Sequence, residues 1–181
     1  MKEIETKVLE VDKEEIKKTL LALGAKQIED TRLVVDWYCR EGAEAAGHPW
    51  YLRIRTNSLG KSEISWKSLP KITGNTRHSD EVNLNVSDAD LAKKLFENIG
   101  LVNYAHQEKD RVTFTLNDWN FDLDQYPGMP AYLEIEGKSH EHVQEAIQLL
   151  KLGAHRSIGE GEKVLIEKEY GLDWHDMRFL T

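Results

Sequence analysis

Charged and apolar side chains take strict turns along much of this chain, and that alternation constrains the fold more than any other feature. In Tyr51-Leu52-Arg53-Ile54-Arg55, the odd positions are Tyr51, Arg53 and Arg55 and the even ones Leu52 and Ile54. The same sorting sets Glu63, Ser65 and Lys67 against Ile64 and Trp66, and Glu81, Asn83 and Asn85 against Val82, Leu84 and Val86. Further on, Lys109, Arg111 and Thr113 oppose Val112, Phe114 and Leu116. Asn120, Asp122 and Asp124 oppose Phe121 and Leu123, and Tyr132, Glu134 and Glu136 oppose Leu133 and Ile135. A period of two is the mark of a strand, whose successive side chains leave the pleated backbone on opposite faces. The opening Glu3-Ile4-Glu5-Thr6-Lys7 follows the rule, with Glu3, Glu5 and Lys7 on one face. The pattern predicts strands at 3–9, 33–39, 50–56, 62–67, 80–86, 109–116, 119–125 and 131–136.

Three amphipathic helices separate these strands. The first is capped by Asp12 with Glu15 completing a capping box, aligns Ile16, Leu20 and Leu23, and stops at Gly24. The second starts near Ser87, aligns Leu91, Leu95 and Ile99, and stops at Gly100; the third follows Ser139, aligns Val143, Ile147 and Leu150, and stops at Gly153. Glu5, Glu81 and Glu134 each precede the terminating glycine by the same 19 residues. Asp12 matches Asp88, and Lys17-Lys18 match Lys93-Lys94. This spacing reads as a duplicated strand–helix–strand unit with a partial third copy. A carboxylate then recurs at similar depth in three strands.

An apolar face must lie against something dry. Helices outside a closed sheet cover it if the apolar side chains point outward, which sends the charged faces into the lumen. So many inward charges require water, mutual pairing or bound ions. The competing arrangement is an open sheet with a solvated charged face and helices stacked on the other, and parity alone does not choose between them. The fold class in either case is α+β, with the 181 residues expected to form one domain.

The formal net charge of −8 disfavours nonspecific contact with nucleic acid or anionic membrane, and no apolar run approaches a membrane span. One cysteine, Cys39, forms no internal disulfide and fits a cytoplasmic setting. The seven histidines show no zinc spacing, and neither a Ser-His-Asp set nor a P-loop is present. Trp37, Trp50, Trp66, Trp119 and Trp174 are expected to be packing residues.

The Glu3-Ile4-Glu5-Thr6-Lys7 opening resembles the ExExK signature of CYTH proteins, the triphosphate tunnel metalloenzymes. Tyr51-Leu52-Arg53-Ile54-Arg55, Trp66-Lys67, Lys109-Asp110-Arg111, Asp122-Leu123-Asp124 and Glu134-Ile135-Glu136 follow in the family's order. The resemblance implies an eight-stranded antiparallel β-barrel, a tunnel with helices packed outside. It implies a triphosphate substrate inside the tunnel with Mg2+ or Mn2+. Metal ligands would come from Glu3, Glu5, Glu81, Asp122, Glu134 and Glu136. Substrate contacts would come from Lys7, Arg53, Arg55, Lys67, Arg77, Lys109, Arg111 and Arg156, with Glu5, Lys7 and Glu81 closest to catalysis. The chain departs from the family where a Glu-x-Glu pair is usual, having Glu81-Val82-Asn83, and its nearest basic residue ahead of that pair is Arg77. Arg156 and the segment from Glu160 to Tyr170 resemble the region that closes one tunnel mouth.

The favoured activity is metal-dependent hydrolysis of inorganic tripolyphosphate, a nucleoside triphosphate or thiamine triphosphate. Carboxylates suit a hard divalent cation, and arginine and lysine suit its phosphate ligand. An adenylyl cyclase making cyclic AMP from ATP, or a noncatalytic polyphosphate or nucleotide binder, are the alternatives. The cyclase requires an adenine pocket, and no residues in the sequence specify one. Oligomeric state does not follow from the sequence.

Overall fold

The computed structural model describes residues 2–180. Its strands are β1 (Lys2–Val8), β2 (Lys26–Arg40), β3 (Trp50–Asn57), β4 (Ser62–Ser68), β5 (Lys71–Thr73) and β6 (Thr76–Val86). They continue as β7 (Leu101–Leu116), β8 (Trp119–Gln125), β9 (Tyr132–Glu136), β10 (Ser157–Ile158) and β11 (Asp176–Met177). Eight of them close an antiparallel barrel in the cyclic order β1-β9-β8-β7-β2-β3-β4-β6, with β6 pairing back onto β1. The helices are α1 (Lys13–Ala22), α2 (Ala43–Ala46), α3 (Ala89–Asn98), α4 (His140–Leu149) and α5 (Glu162–Val164), the last running into a π turn over Leu165–Glu169.

All eight expected strands are present, and the closed form of the two arrangements is the one adopted. β2 and β7 are far longer than the alternation predicts. Register shifts between Gln27 and Glu29 and between Trp37 and Tyr38 mark bulges that break the parity along this pair. β6 starts early because Arg77-His78-Ser79-Asp80 is polar on both faces and carries no amphipathic signal.

The apolar faces do point outward. Val8, Val112, Phe114, Phe121, Leu123, Leu133 and Ile135 bury against Ile16 and Leu20 of α1 and Val143, Ala146 and Ile147 of α4. Fully burying such side chains contributes roughly 1.5–3 kcal/mol each. α1 and α4 are capped as expected, Asp12 and Ser139 each accepting a backbone N–H in the first turn. Two expectations need correction. α3 is capped by Asp88 rather than Ser87, and it buries Ala92 and Phe96 against Tyr38 and Ile54. With Ala92 and Phe96 turned inward and Lys93 meeting Asp36 on β2 at 2.7 Å, Leu91, Leu95 and Ile99 face outward at 56–65% exposure. α4 ends not at Gly153 but with Lys151 in the left-handed region, φ 57°.

A second core lies at one end of the barrel. Counting registers around the barrel puts Tyr51, Trp37, Tyr126 and Tyr132 toward that end, and Asn57, Glu63, Asn85, Asn120 and Glu136 toward the other. Leu165 and Ile166 from the C-terminal segment pack there with Leu9, Tyr126, Tyr132 and Ile158. β11 then runs parallel to β7, and the His106 N–H donates to the His175 carbonyl at 2.8 Å. The chain end thus straps one mouth. Among the described residues no helix is long and apolar enough to cross a membrane.

Candidate functional site

Strand parity puts the charged residues inside, and register brings them into one ring. A cavity of about 510 Å3 is lined by Glu3, Glu5, Lys7, Arg53, Arg55, Lys67, Arg77, Glu81, Arg111, Asp122, Glu134 and Glu136. These are twelve of the fourteen site residues expected from the sequence.

The acids cluster on β8, β9 and β1, which are neighbours in the barrel. Lys7, 1% exposed, sits among them with its ammonium 3.0 Å from both Glu5 and Glu134. Burial pulls its pKa down, but Glu134 and Glu5 outweigh this and hold it above the usual value. Lys7 is therefore a fixed positive charge, not a proton acceptor. Burial and the adjacent Glu134 raise Glu5. Burial, with Glu3, Glu5 and Glu134 nearby, raises Glu136 despite its bond from Asn120. Glu134 is held well below the usual range, because Lys7 and Arg111 more than offset its burial. The group Glu3, Glu5, Glu134 and Glu136 thus carries mutual repulsion that its own lysine does not fully relieve.

Basic side chains gather on the opposite side. Eight strands in a ring place β9 across from β3 and β8 across from β4, so acids face Arg53, Arg55 and Lys67 over the lumen. Lys67 contacts Glu3 at 2.5 Å and Glu81 at 3.5 Å, while Arg55 meets Glu63 at 2.6 Å. Arg53 is 8% exposed, and among the described residues no carboxylate lies within ion-pair distance of it. The Nε atoms of Arg53 and Arg77 lack hydrogen-bond partners, although Arg77 Nε stands 3.5 Å from Glu5. Burial and the Arg53 charge pull Arg55 below its ordinary value. This wall has an excess of buried positive charge.

Arg111 belongs to both walls. It bonds Asp124 through Nε at 2.6 Å and through a terminal nitrogen at 2.5 Å, and its other terminal nitrogen meets Asp122 at 2.5 Å. Burial lowers its pKa, but Asp122 and Asp124 raise it well above the usual value.

Two expected contacts lie elsewhere. Lys109 does not line the cavity; its ammonium, 1% exposed, is closed in by Asp124 at 2.7 Å and Glu162 at 2.5 Å. Arg156 is on the outer surface, its side chain 61% exposed and paired with Glu169, because it leads into the short β10, which pairs with β1 outside the ring.

Glu162, by contrast, was not expected from the strand pattern. It enters the tunnel from the C-terminal segment and also accepts from the Tyr132 hydroxyl at 2.9 Å. Its carboxyl is held far below the usual range, since Lys109 and Arg53 overcome burial and the nearby Glu134. A usable signal is Gly159-Glu160-Gly161-Glu162, acids spaced by glycines. A Cβ on Gly159 would come within 3.0 Å of the Thr76 backbone, so the segment enters only with glycine there. The strand expected at 33–39 is present as part of β2, but its inward face was not assigned from the sequence: Leu33, Val35 and Trp37 form a dry strip in a charged tunnel.

One oxygen each of Asp124, Glu134 and Glu162 lies within 4.8 Å of the others, close enough to share an ion. Asp124 and Glu162 are already saturated by Lys109, Arg111 and Tyr132, however. Glu3, Glu5, Glu134 and Glu136 line the same cavity, and carboxylate oxygens are the donors a hard divalent ion takes.

Solved structures share this architecture. The PH1012 protein of Pyrococcus horikoshii is 25% identical, with a TM-score of 0.69 over 82% of this chain and 90% of that one. HpAC1 from Hippeastrum, assigned as an adenylyl cyclase and showing a dominant triphosphatase activity, is 17% identical, with a TM-score of 0.69 over 93% and 96%. An adenylate cyclase-like protein of Vibrio parahaemolyticus is 15% identical, with a TM-score of 0.65 over 99% and 94%. No curated protein matches the sequence. Residues 1–170 match the CYTH domain, and the chain belongs to the CYTH family.

Proposed function

We propose that this protein hydrolyses a triphosphate in the tunnel with the help of Mg2+ or Mn2+. The observation that carries the reading is Arg53, buried with its Nε unbonded and, among the described residues, no carboxylate within ion-pair distance, although Glu162 and Glu81 attract it from farther off and hold its pKa above the usual value. A buried guanidinium left without a directly bonded anion is costly, and a phosphate oxygen would complete it. Acids that repel one another on the facing wall call for a cation in the same lumen. A metal-bound polyanion answers both demands.

In this mechanism Arg53, Arg55, Arg77 and Lys67 bind the phosphate oxygens. Arginine does so through paired N–H donors and lysine as a point charge. Glu3, Glu5, Glu134 and Glu136 would hold the divalent ion, with Glu81 and Asp122 as acids for a second one; when bound, it supplies Lewis-acid neutralisation of developing charge and an activated water. Lys7 stays protonated and fixes the orientation of Glu5 and Glu134. Arg111 does the same for Asp122 and Asp124. Fixed charges that need no rearrangement account for most acceleration in phosphoryl transfer. HpAC1 couples this fold to triphosphatase chemistry, and hydrolysis is proposed here on this chain's own residues.

The test is phosphate release from tripolyphosphate, nucleoside triphosphates and thiamine triphosphate with Mg2+, Mn2+ or chelator. Metal-dependent release from at least one substrate is expected. Cyclic AMP from ATP would replace hydrolysis with cyclisation, and binding without turnover would leave only a binding module. Glu5→Gln should abolish turnover while circular dichroism stays unchanged. Full activity in that variant removes Glu5 from the mechanism.

A further inference from the structure

At the strapped end the tunnel wall changes from charged to aromatic. Trp37, His48, Tyr51, Tyr104 and Trp174 line the same cavity as Arg53. His48 stacks on Tyr104 at 4.8 Å, and Trp174 lies 5.3 Å from Trp37 and 5.9 Å from Tyr104. Tyr51 meets Trp37 edge-on at 6.4 Å. Tyr51 is two residues from Arg53 on one face of β3, which sets their backbones about 7 Å apart along the tunnel.

Packing alone does not account for this end. The Trp37 indole donates to Gln107 at 2.8 Å, as a structural tryptophan should. Trp174 Nε1, on a side chain only 3% exposed, has no partner, and neither has His48 Nε2. Burying such groups unbonded is unfavourable unless something else bonds them. Trp174 also lies beyond the residues that match the CYTH domain, so family membership does not assign it a role.

We propose that the aromatic end seats a flat, nitrogen-bearing ring joined to the triphosphate, so that the substrate is a nucleoside triphosphate in preference to inorganic tripolyphosphate. This rests on reading the tunnel as a triphosphate site. A ring acceptor takes the Trp174 indole proton, and His48 bonds a second ring atom. Burial lowers the His48 pKa, which keeps the imidazole neutral near pH 7 and able to donate or accept. A neutral base fits better than a cationic ring. Arg53 stands 5.3 Å from the Trp37 ring centre and Lys163 5.3 Å from that of Trp174, so a cationic ring would meet two positive charges already at this end.

The experiment compares kcat/KM for ATP, GTP, CTP, UTP and tripolyphosphate, with Mg2+, in wild type, Trp174→Leu and His48→Ala. At least one nucleotide should exceed tripolyphosphate by about tenfold in wild type, and each substitution should cut that ratio about tenfold, the scale of one lost hydrogen bond to a buried group. His48 lies half-exposed on a loop and decides the matter if Trp174→Leu does not fold. Wild type favouring tripolyphosphate over every nucleotide overturns the proposal while leaving the triphosphate reading intact. So does a proportional loss for both substrates in Trp174→Leu with no change of ratio in His48→Ala. Failure to bind or cleave any triphosphate overturns the underlying reading instead.

Discussion

The two halves of the barrel share a plan and differ in chemistry. An offset of 76 residues carries Asp12 to Asp88, Gly24 to Gly100, and the buried Leu20 of α1 to the buried Phe96 of α3. It also carries Glu5 to Glu81, but Lys7 to Asn83, Leu33 to Lys109, Val35 to Arg111 and Trp37 to Thr113. Matching strands pair antiparallel, β1 with β6 and β2 with β7, so the halves run oppositely along the tunnel. The aromatic mouth of the first half therefore corresponds to the polar mouth of the second. Helix caps and outward apolar residues, which the fold needs, agree between halves. Inward residues have diverged into a basic hairpin at β3–β4 and an acidic one at β8–β9. The difference shows that the lumen's charge is separable from the barrel's stability on one wall, and bound to it on the other.

That contrast is sharpest at Asp124 and Arg53. Asp124 is fully buried and is the shared partner of Lys109 and Arg111. Asp124→Ala takes the shared partner from two buried cations, leaving Lys109 only Glu162 and Arg111 mainly Asp122, and should cost about 3–5 kcal/mol in urea unfolding. Arg53 has no carboxylate within ion-pair distance, only the more distant pull of Glu162 and Glu81, and its removal relieves the repulsion felt by Arg55. Arg53→Ala should change stability by less than about 1 kcal/mol while lowering kcat/KM for a triphosphate roughly 100-fold, the scale of one transition-state donor. Equal stability losses in the two variants would break the comparison.

A subtler difference lies at Asn83, where the first half has Lys7. Asn83 is exposed to the cavity and faces Ser65 across the β4–β6 ladder. Asn83→Glu adds a carboxylate beside Glu81, and more ligand charge raises affinity for a hard cation. The Mn2+ concentration giving half-maximal activity should fall roughly threefold. No shift would mean that any ion sits wholly on the β9–β1 side.

How much of this was legible in the sequence follows the same division. Alternation gave the outward and inward faces of seven strands, because a closed sheet under helices enforces parity where no bulge interrupts it. It was silent at β2, where bulges break parity and Leu33, Val35 and Trp37 look like an ordinary core strand. Motif order named twelve residues that do share one cavity, since side chains on one face of adjacent strands meet by register alone. Lys109 lies on the correct face, yet its exclusion depends on Glu162, which arrives from 53 residues away. Arg156 and Trp174 depend equally on where the C-terminal strap docks. Local patterns do not encode such docking. The hydrophobic stripe of α3 misled for a related reason: Leu91, Leu95 and Ile99 are as periodic as a buried face, but the helix docks through Ala92 and Phe96 and leaves them outward.

The strap itself joins the halves by different means, and this gives the smallest expected effect. Against the second half it is held by backbone bonding along β7, which does not titrate. Against the first half it is held through Glu44 on α2, which bonds His175 and takes Lys163 at 2.9 Å. Burial lowers the His175 pKa, but its bonds with Glu44 and Asp173 outweigh that and leave it above the usual value. A histidine raised on folding stabilises fully below its unfolded pKa, near 6.5, and that contribution is lost as pH climbs through the raised folded value. His175 is one-third exposed, so solvent screening holds the effect to a few tenths of a kcal/mol, about the size of other surface pairs. Amide exchange over Lys163–Trp174 should speed up modestly as pH rises above 6.5, after correction for the intrinsic rate, and His175→Gln should abolish that dependence while exchange along β7 stays unchanged. A pH-independent strap in wild type would show that both halves hold it by packing alone.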